Sequence, residues 1–106
     1  MVAMDRIAML QQLLAEHPHE ALPRYSLAME YSNAGNTENA LVEFNKLLEL
    51  HPDYANGYFM AAQALAKVGN TDSAKDYLRK GISAADRTRN AHARAEMEGM
   101  LDELGE

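Results

Sequence analysis

The sequence predicts an all-α protein, an α-solenoid assembled from about six helices in antiparallel pairs. Three observations carry that prediction. The punctuation Gly35-Asn36-Thr37 recurs as Gly69-Asn70-Thr71, 34 residues further on, and His17-Pro18 recurs as His51-Pro52 at the same distance. Apolar residues recur at three- and four-residue steps, Leu27, Tyr31 and Ala34 in one segment and Leu41, Phe44, Leu47 and Leu48 in the next, which is the spacing of one helical face. Finally, Leu10, Leu13 and Leu14 fall in step with Phe44, Leu47 and Leu48, so the period extends back to the first residues. The 106 residues form one domain.

The first helix is expected over 2–17. Asp5, Arg6, Gln11 and Gln12 interrupt its apolar residues in an amphipathic pattern, with neither a basic start nor a small-residue cleavage site, so the segment belongs to the fold. Ala3, Ile7, Leu10, Leu13 and Leu14 are expected to face the next unit, leaving Val2, Met4 and Met9 uncovered. Pro18 prevents the helix from continuing, because proline lacks the N–H and clashes with the preceding turn. Pro23 is tolerated only in a first turn, so the following helix begins near Glu20.

That helix opens a first repeat at 21–54. Gly35 suits the left-handed residue that closes it, and Asn36 is a good N-cap for its antiparallel partner. Pro52 ends the partner. A second repeat at 55–88 uses Gly69 and Asn70 in the same way. A capping helix at 90–105 closes the chain, with Asn90 as N-cap. A strict repeat frame would make that helix bury His92, Ala95, Glu96 and Gly99, a poor apolar face. The stripe Ala93, Met97, Met100, Leu101 and Leu104 is better, and it requires about two extra residues between Asp86 and Asn90.

These residues closely resemble the tetratricopeptide repeat (TPR) family, whose unit is a helical hairpin with small residues where the two helices touch. Ala21 to Tyr54 carries Leu27, Ala28, Tyr31, Gly35, Ala40, Phe44 and Pro52 in the family pattern. Ala55 to Thr88 carries Tyr58, Ala62, Leu65, Gly69, Ala74 and Leu78. The resemblance covers essentially the whole chain and implies a right-handed α-solenoid: a half-repeat helix, two full hairpins and a cap. There are departures. Arg24 stands where the family usually has a large aromatic, Leu47 is larger and Gly81 smaller than its usual alanine, and Asp86 replaces its terminal proline.

Composition narrows function. A formal charge of −6 opposes attachment to nucleic acid phosphates or anionic lipid. The charge is uneven: from Lys67 to Arg94 seven basic residues face three acidic ones, between acidic ends. No aromatic interleaving or phosphate loop accompanies this band, so it is expected to be a solvated face balanced by the acidic tail, with no nucleic acid partner. No apolar stretch reaches the length of a membrane span. With no cysteine there are no disulfides, thiolate nucleophiles or cysteine-bound zinc. A cytoplasmic location is compatible with that composition. HExxH, EF-hand, phosphate-loop and nucleophile-elbow patterns are absent, His17 and His51 occupy equivalent inter-repeat turns, and Glu96 and Glu98 point to different sides of a helix. Neither an enzyme nor a metal or cofactor site is expected.

A binding module is expected instead. Two-helix units stack into a curved array whose first helices line a hollow. By resemblance to the family, the groove positions include Tyr25, Met29 and Asn33 in the first unit and Asn56, Phe59 and Gln63 in the second. Tyr25 and Phe59 are stiff anchors, Met29 an adaptable one, and the amides can pair with a bound backbone. Some family members grip a chaperone tail's carboxylate through a lysine and asparagines. This chain has Tyr25 and Met29 at the first of those positions and Met60 at the next, so the resemblance implies no such clamp. The expected partner is a helix or extended peptide of another protein. Self-association as a homodimer, through the N-terminal helix or the groove, is the second expectation.

Overall fold

The computed structural model describes residues 3–105. Among them lie six helices and no strand: α1 (Ala3–Glu16), α2 (Ala21–Asn33), α3 (Thr37–Leu50), α4 (Ala55–Lys67), α5 (Thr71–Arg87) and α6 (Ala91–Glu103). The all-α repeat fold is therefore as expected. The helices group into two compact units, Met1–His51 and Pro52–Glu106.

In the first unit α2 packs against both α1 and α3. Leu27 and Ala28 of α2 and Ala40, Phe44, Leu47 and Leu48 of α3 are buried, and Phe44 and Leu47 are fully so. The small Ala28 and Ala40, both without exposed surface, permit close approach of the helices. Among the α1 residues whose side chains are described, Leu14 is buried and Ile7 and Leu10 are half-buried. Leu13, expected to face the next unit, is 41% exposed. Residues 7, 10 and 14 share one narrow stripe at helical pitch, and Leu13 falls about a quarter turn off it. Met9 is uncovered, as expected. Val2 and the side chains of Ala3 and Met4, also named in that expectation, lie outside what is described.

Arg24 fills the aromatic position of the family pattern by a different chemistry. Its Nη1 donates to Glu43 Oε1 of α3 at 2.7 Å and its Nη2 to the Pro18 carbonyl at 3.0 Å, with both charged side chains largely buried. One residue thereby ties α2 to α3 and to the turn after α1. His51 Nε2 lies 2.8 Å from the His19 carbonyl, which places this repeated His-Pro punctuation in a structural contact.

In the second unit α5 packs on α4 and α6. Ala61, Ala62 and Leu65 of α4, Ala74, Leu78, Ala84 and Ala85 of α5, and Ala93, Met97 and Leu101 of α6 form its core. Of the apolar stripe expected for the last helix, Ala93, Met97 and Leu101 are buried, Met97 fully, while Met100 and Leu104 are half-buried. Gly81 marks the tightest approach. A Cβ there would stand 2.7 Å from Tyr58 Cβ and nearer still to the Met97 sulfur, so only glycine lets the three helices meet. Tyr58 donates its hydroxyl to the Pro52 carbonyl at 2.8 Å, and Arg87 donates to the same carbonyl and to Asp53, which fixes the segment entering α4.

Three turns share one geometry. Gly35 and Gly69 have φ of 80° and 82°, in the left-handed region that closes a helix. Asn36 N–H then reaches the Tyr31 carbonyl and Asn70 N–H the Leu65 carbonyl, both at 2.9 Å. The α5–α6 turn repeats this with Arg89 at φ 56° and Asn90 N–H on the Ala85 carbonyl at 2.8 Å. Asn36 and Asn90 cap α3 and α6 through side-chain oxygens that accept from Asn39 and Ala93; Asn70 makes no such bond. The extra residues expected near Asp86 enter α5 itself, which runs 17 residues against 14 in α3, because no proline stops it there.

Candidate functional site

The second unit contains the most informative surface. One face of α4 is committed to packing through Ala55, Tyr58, Ala61, Ala62 and Leu65, leaving Asn56, Phe59, Gln63 and Lys67 at helical spacing on the opposite side. On α6 the buried stripe is Ala93, Met97 and Leu101, so Glu96, Gly99, Met100 and Glu103 lie off it. Between these leftover faces runs a hollow of about 460 Å³ whose lining includes Phe59, Gln63, Glu96, Gly99, Met100 and Glu103. A neighbouring hollow of about 650 Å³ is lined by Asn56, Asn90, His92 and Asp53 among others and shares Glu96.

Phe59 is half-buried and Asn56 and Gln63 are exposed. An aromatic ring with one side unclaimed, beside two amides, offers van der Waals area and paired donors and acceptors to an incoming chain. Tyr25, Met29 and Asn33 belong to α2 in the first unit. Asn33 is exposed, while Met29 and Tyr25 are half-buried. The Tyr25 ring meets Phe44 edge-on, with centroids 6.4 Å apart and planes at 65°, so part of its surface serves the α2–α3 packing.

The α6 contribution, Glu96, Gly99, Met100 and Glu103, was not among the expected groove residues. A signal for it did exist. The face rejected as a poor core, with Ala95, Glu96 and Gly99, is the face that lines the hollow. Once the packing stripe is assigned, the residues that line the hollow are among those remaining on the helix.

The charges divide by face. Glu96 Oε1 lies 3.3 Å from His92 Nε2, one helical turn away, and no lysine or arginine lines the larger or the smaller of the two hollows. Three arginines of the basic band are engaged elsewhere: Arg87 with Asp53 at 2.7 Å, Arg79 with Asp76 at 3.2 Å, and Arg94 with both Asp86 and Glu98. The hydrogen bond to Glu98, followed by the charge of Asp86, holds the Arg94 guanidinium above its ordinary range. In the first unit a hollow of about 300 Å³ beside Arg24, Lys46 and Glu49 is built around an arginine already bound to Glu43. Among the described residues no three His, Asp or Glu side chains gather where one metal ion could be held, and no helix is long and apolar enough to cross a membrane.

Helical hairpins closed by left-handed glycines, with alanines at the crossings and a leftover face on each first helix, define a helical-hairpin repeat protein. The tetratricopeptide repeat family profile matches residues 33–97, more than half of the chain, and the chain belongs to that family. A TPR repeat-containing protein of Pseudomonas aeruginosa is 27% identical over 95 residues, covering 90% of each chain. An uncharacterised protein of Methanocaldococcus jannaschii is 36% identical over 59 residues, 56% of this chain and 69% of that one. Among solved structures, PcrH in complex with the chaperone binding region of PopD superimposes with a TM-score of 0.88 at 18% identity, covering 96% of this chain and 77% of that one.

Proposed function

We propose that this chain is a non-catalytic protein-interaction module that holds a peptide or helix of another protein through positions of its first helices, Tyr25, Met29 and Asn33 on α2 of the first unit and Asn56, Phe59 and Gln63 on α4 of the second. The proposal treats the chain as a half-repeat, two full repeats and a cap. The observation that carries it is the open α4–α6 hollow, where Phe59 keeps one side uncovered by the chain's own residues. The family adds support, as does the fold shared with PcrH, which was solved in complex with a segment of PopD.

The test uses Phe59→Ala combined with Gln63→Ala. Neither residue belongs to the buried core, so the far-ultraviolet circular dichroism and melting of the variant are expected to stay near those of the parent. Capture of partner proteins by the immobilised chain from a lysate of its source organism is expected to be lost. Capture unchanged by both substitutions rejects the α4 face as the binding surface.

A specific observation favours a second reading, self-association. Met9, Leu13 and Leu22, on α1 and α2 of the first unit, are 64%, 41% and 67% exposed. Apolar side chains left open on neighbouring helices favour pairing with another copy. Sedimentation at two protein concentrations separates the readings: a strict monomer at both excludes the homodimer.

A further inference from the structure

We infer that the α4–α6 hollow receives a large apolar side chain from an extended segment of another protein, that lysine or arginine residues flank that side chain, and that Gly99 is the specificity-determining position that keeps the hollow open. The inference rests on the reading of the chain as a protein-interaction module.

Two glycines in helix interiors carry the argument. Glycine inside a helix costs stability relative to alanine, so its presence calls for a reason. At Gly81 the reason is internal, since a Cβ would strike Tyr58 and Met97. At Gly99, inside α6, a Cβ would meet nothing within 4 Å. Neither packing nor a left-handed turn requires glycine there. What Gly99 does is remove the side chain from the wall of a hollow whose other apolar surfaces are Phe59, Ala95 and Met100. A residue at a cost to its helix, facing open space beside an uncovered ring, fits a place where something from outside comes close to the backbone.

Charge identifies the guest. Glu96 and Glu103 both line this hollow, and no cation lines it. They are seven positions apart on α6, which is about 10 Å along the axis at 1.5 Å per residue. An extended chain covers that distance in about three residues. The segment that fits therefore places basic residues about three apart with an apolar residue between them, its stem against Phe59 and Met100 and its cationic neighbours against the two carboxylates. An acidic segment would bring like charges together at both carboxylates, and binding would be selected against it.

The test pans a random dodecapeptide display library against the full chain and measures selected peptides by fluorescence anisotropy on four proteins: parent, Gly99→Leu, Gly99→Ala, and Glu96→Gln with Glu103→Gln. Selected sequences are expected to carry an apolar residue flanked by lysine or arginine. Gly99→Leu is expected to weaken them by about ten-fold or more by occupying the hollow, while Tm stays level or rises; Gly99→Ala raises Tm with a smaller loss of binding. The paired glutamine variant is expected to weaken binding and to flatten its dependence on salt. Selected peptides that are neutral or acidic, or whose Kd is unmoved by Gly99→Leu, overturn the inference. If such peptides still lose binding on Phe59→Ala with Gln63→Ala, the interaction module stands and only the guest is wrong. A library that yields no binder overturns both.

Discussion

At the scale of single residues, the departures from the family pattern are resolved by chemistry the sequence pattern does not display. Arg24 replaces an apolar aromatic with a charge, and the charge is tolerable because Glu43 and the Pro18 carbonyl accept from it. The pair is largely buried, so breaking it costs more than keeping it is worth. Glu43→Gln is expected to destabilise by about 1–3 kcal/mol in urea unfolding, because a desolvated guanidinium loses its counter-charge. Changing Arg24→Phe together with Glu43→Leu is expected to be neutral or stabilising, since apolar packing replaces an ion pair that repays its desolvation poorly. Gly81→Ala tests the closest approach in the second unit. Helix propensity favours alanine by about 1 kcal/mol, but overpacking against Tyr58 and Met97 costs typically 1–3 kcal/mol, so a net loss of about 1 kcal/mol is expected in the same measurement.

At the scale of elements, most of the helix boundaries were legible in the sequence because the residues that set them act locally. Gly35 and Gly69 reveal left-handed closures, Pro18 and Pro52 reveal stops, and Asn36 and Asn90 cap as their chemistry suggests. The α5–α6 turn was less legible. Its left-handed residue is Arg89, and an arginine gives no sign of positive φ; the longer α5 follows from the absence of a proline, which is visible only once the repeat is aligned. Arg89→Gly is expected to stabilise the chain by up to about 1 kcal/mol, seen as a higher Tm, because glycine removes the left-handed cost that an L side chain bears. A lowered Tm would mean that the arginine side chain contributes more than its backbone conformation costs.

The candidate site was legible by half. Periodicity on α4 separates Asn56, Phe59 and Gln63 from the packing face, because the family frame assigns every position of a first helix. It failed on α6, where the leftover face mixes acids with glycine and shows no binding chemistry until Phe59 is seen across from it. Contacts between residues distant in sequence were needed to place Glu96, Gly99 and Glu103 around one hollow.

At the scale of the whole molecule, net charge and the proposed binding surface are expected to act together. The chain carries −6, and three of its band arginines have carboxylate partners, so the proposed basic guest would be attracted both at long range and at the hollow. Association of a selected basic peptide is expected to slow as salt rises from about 50 to 500 mM, with the off-rate less affected, since screening acts mainly on the encounter. Stopped-flow anisotropy at several salt concentrations checks this, and an on-rate indifferent to salt would contradict it.

The most direct measurement of the central claim is a two-dimensional ¹H–¹⁵N titration of the full chain with a display-selected dodecapeptide. The account predicts the largest shift changes at Asn56, Phe59, Gln63, Glu96, Gly99 and Glu103, with the buried positions Leu78 and Ala84 of α5 little moved. Changes confined to α1, or an α4–α6 face that stays silent at saturation, would contradict it.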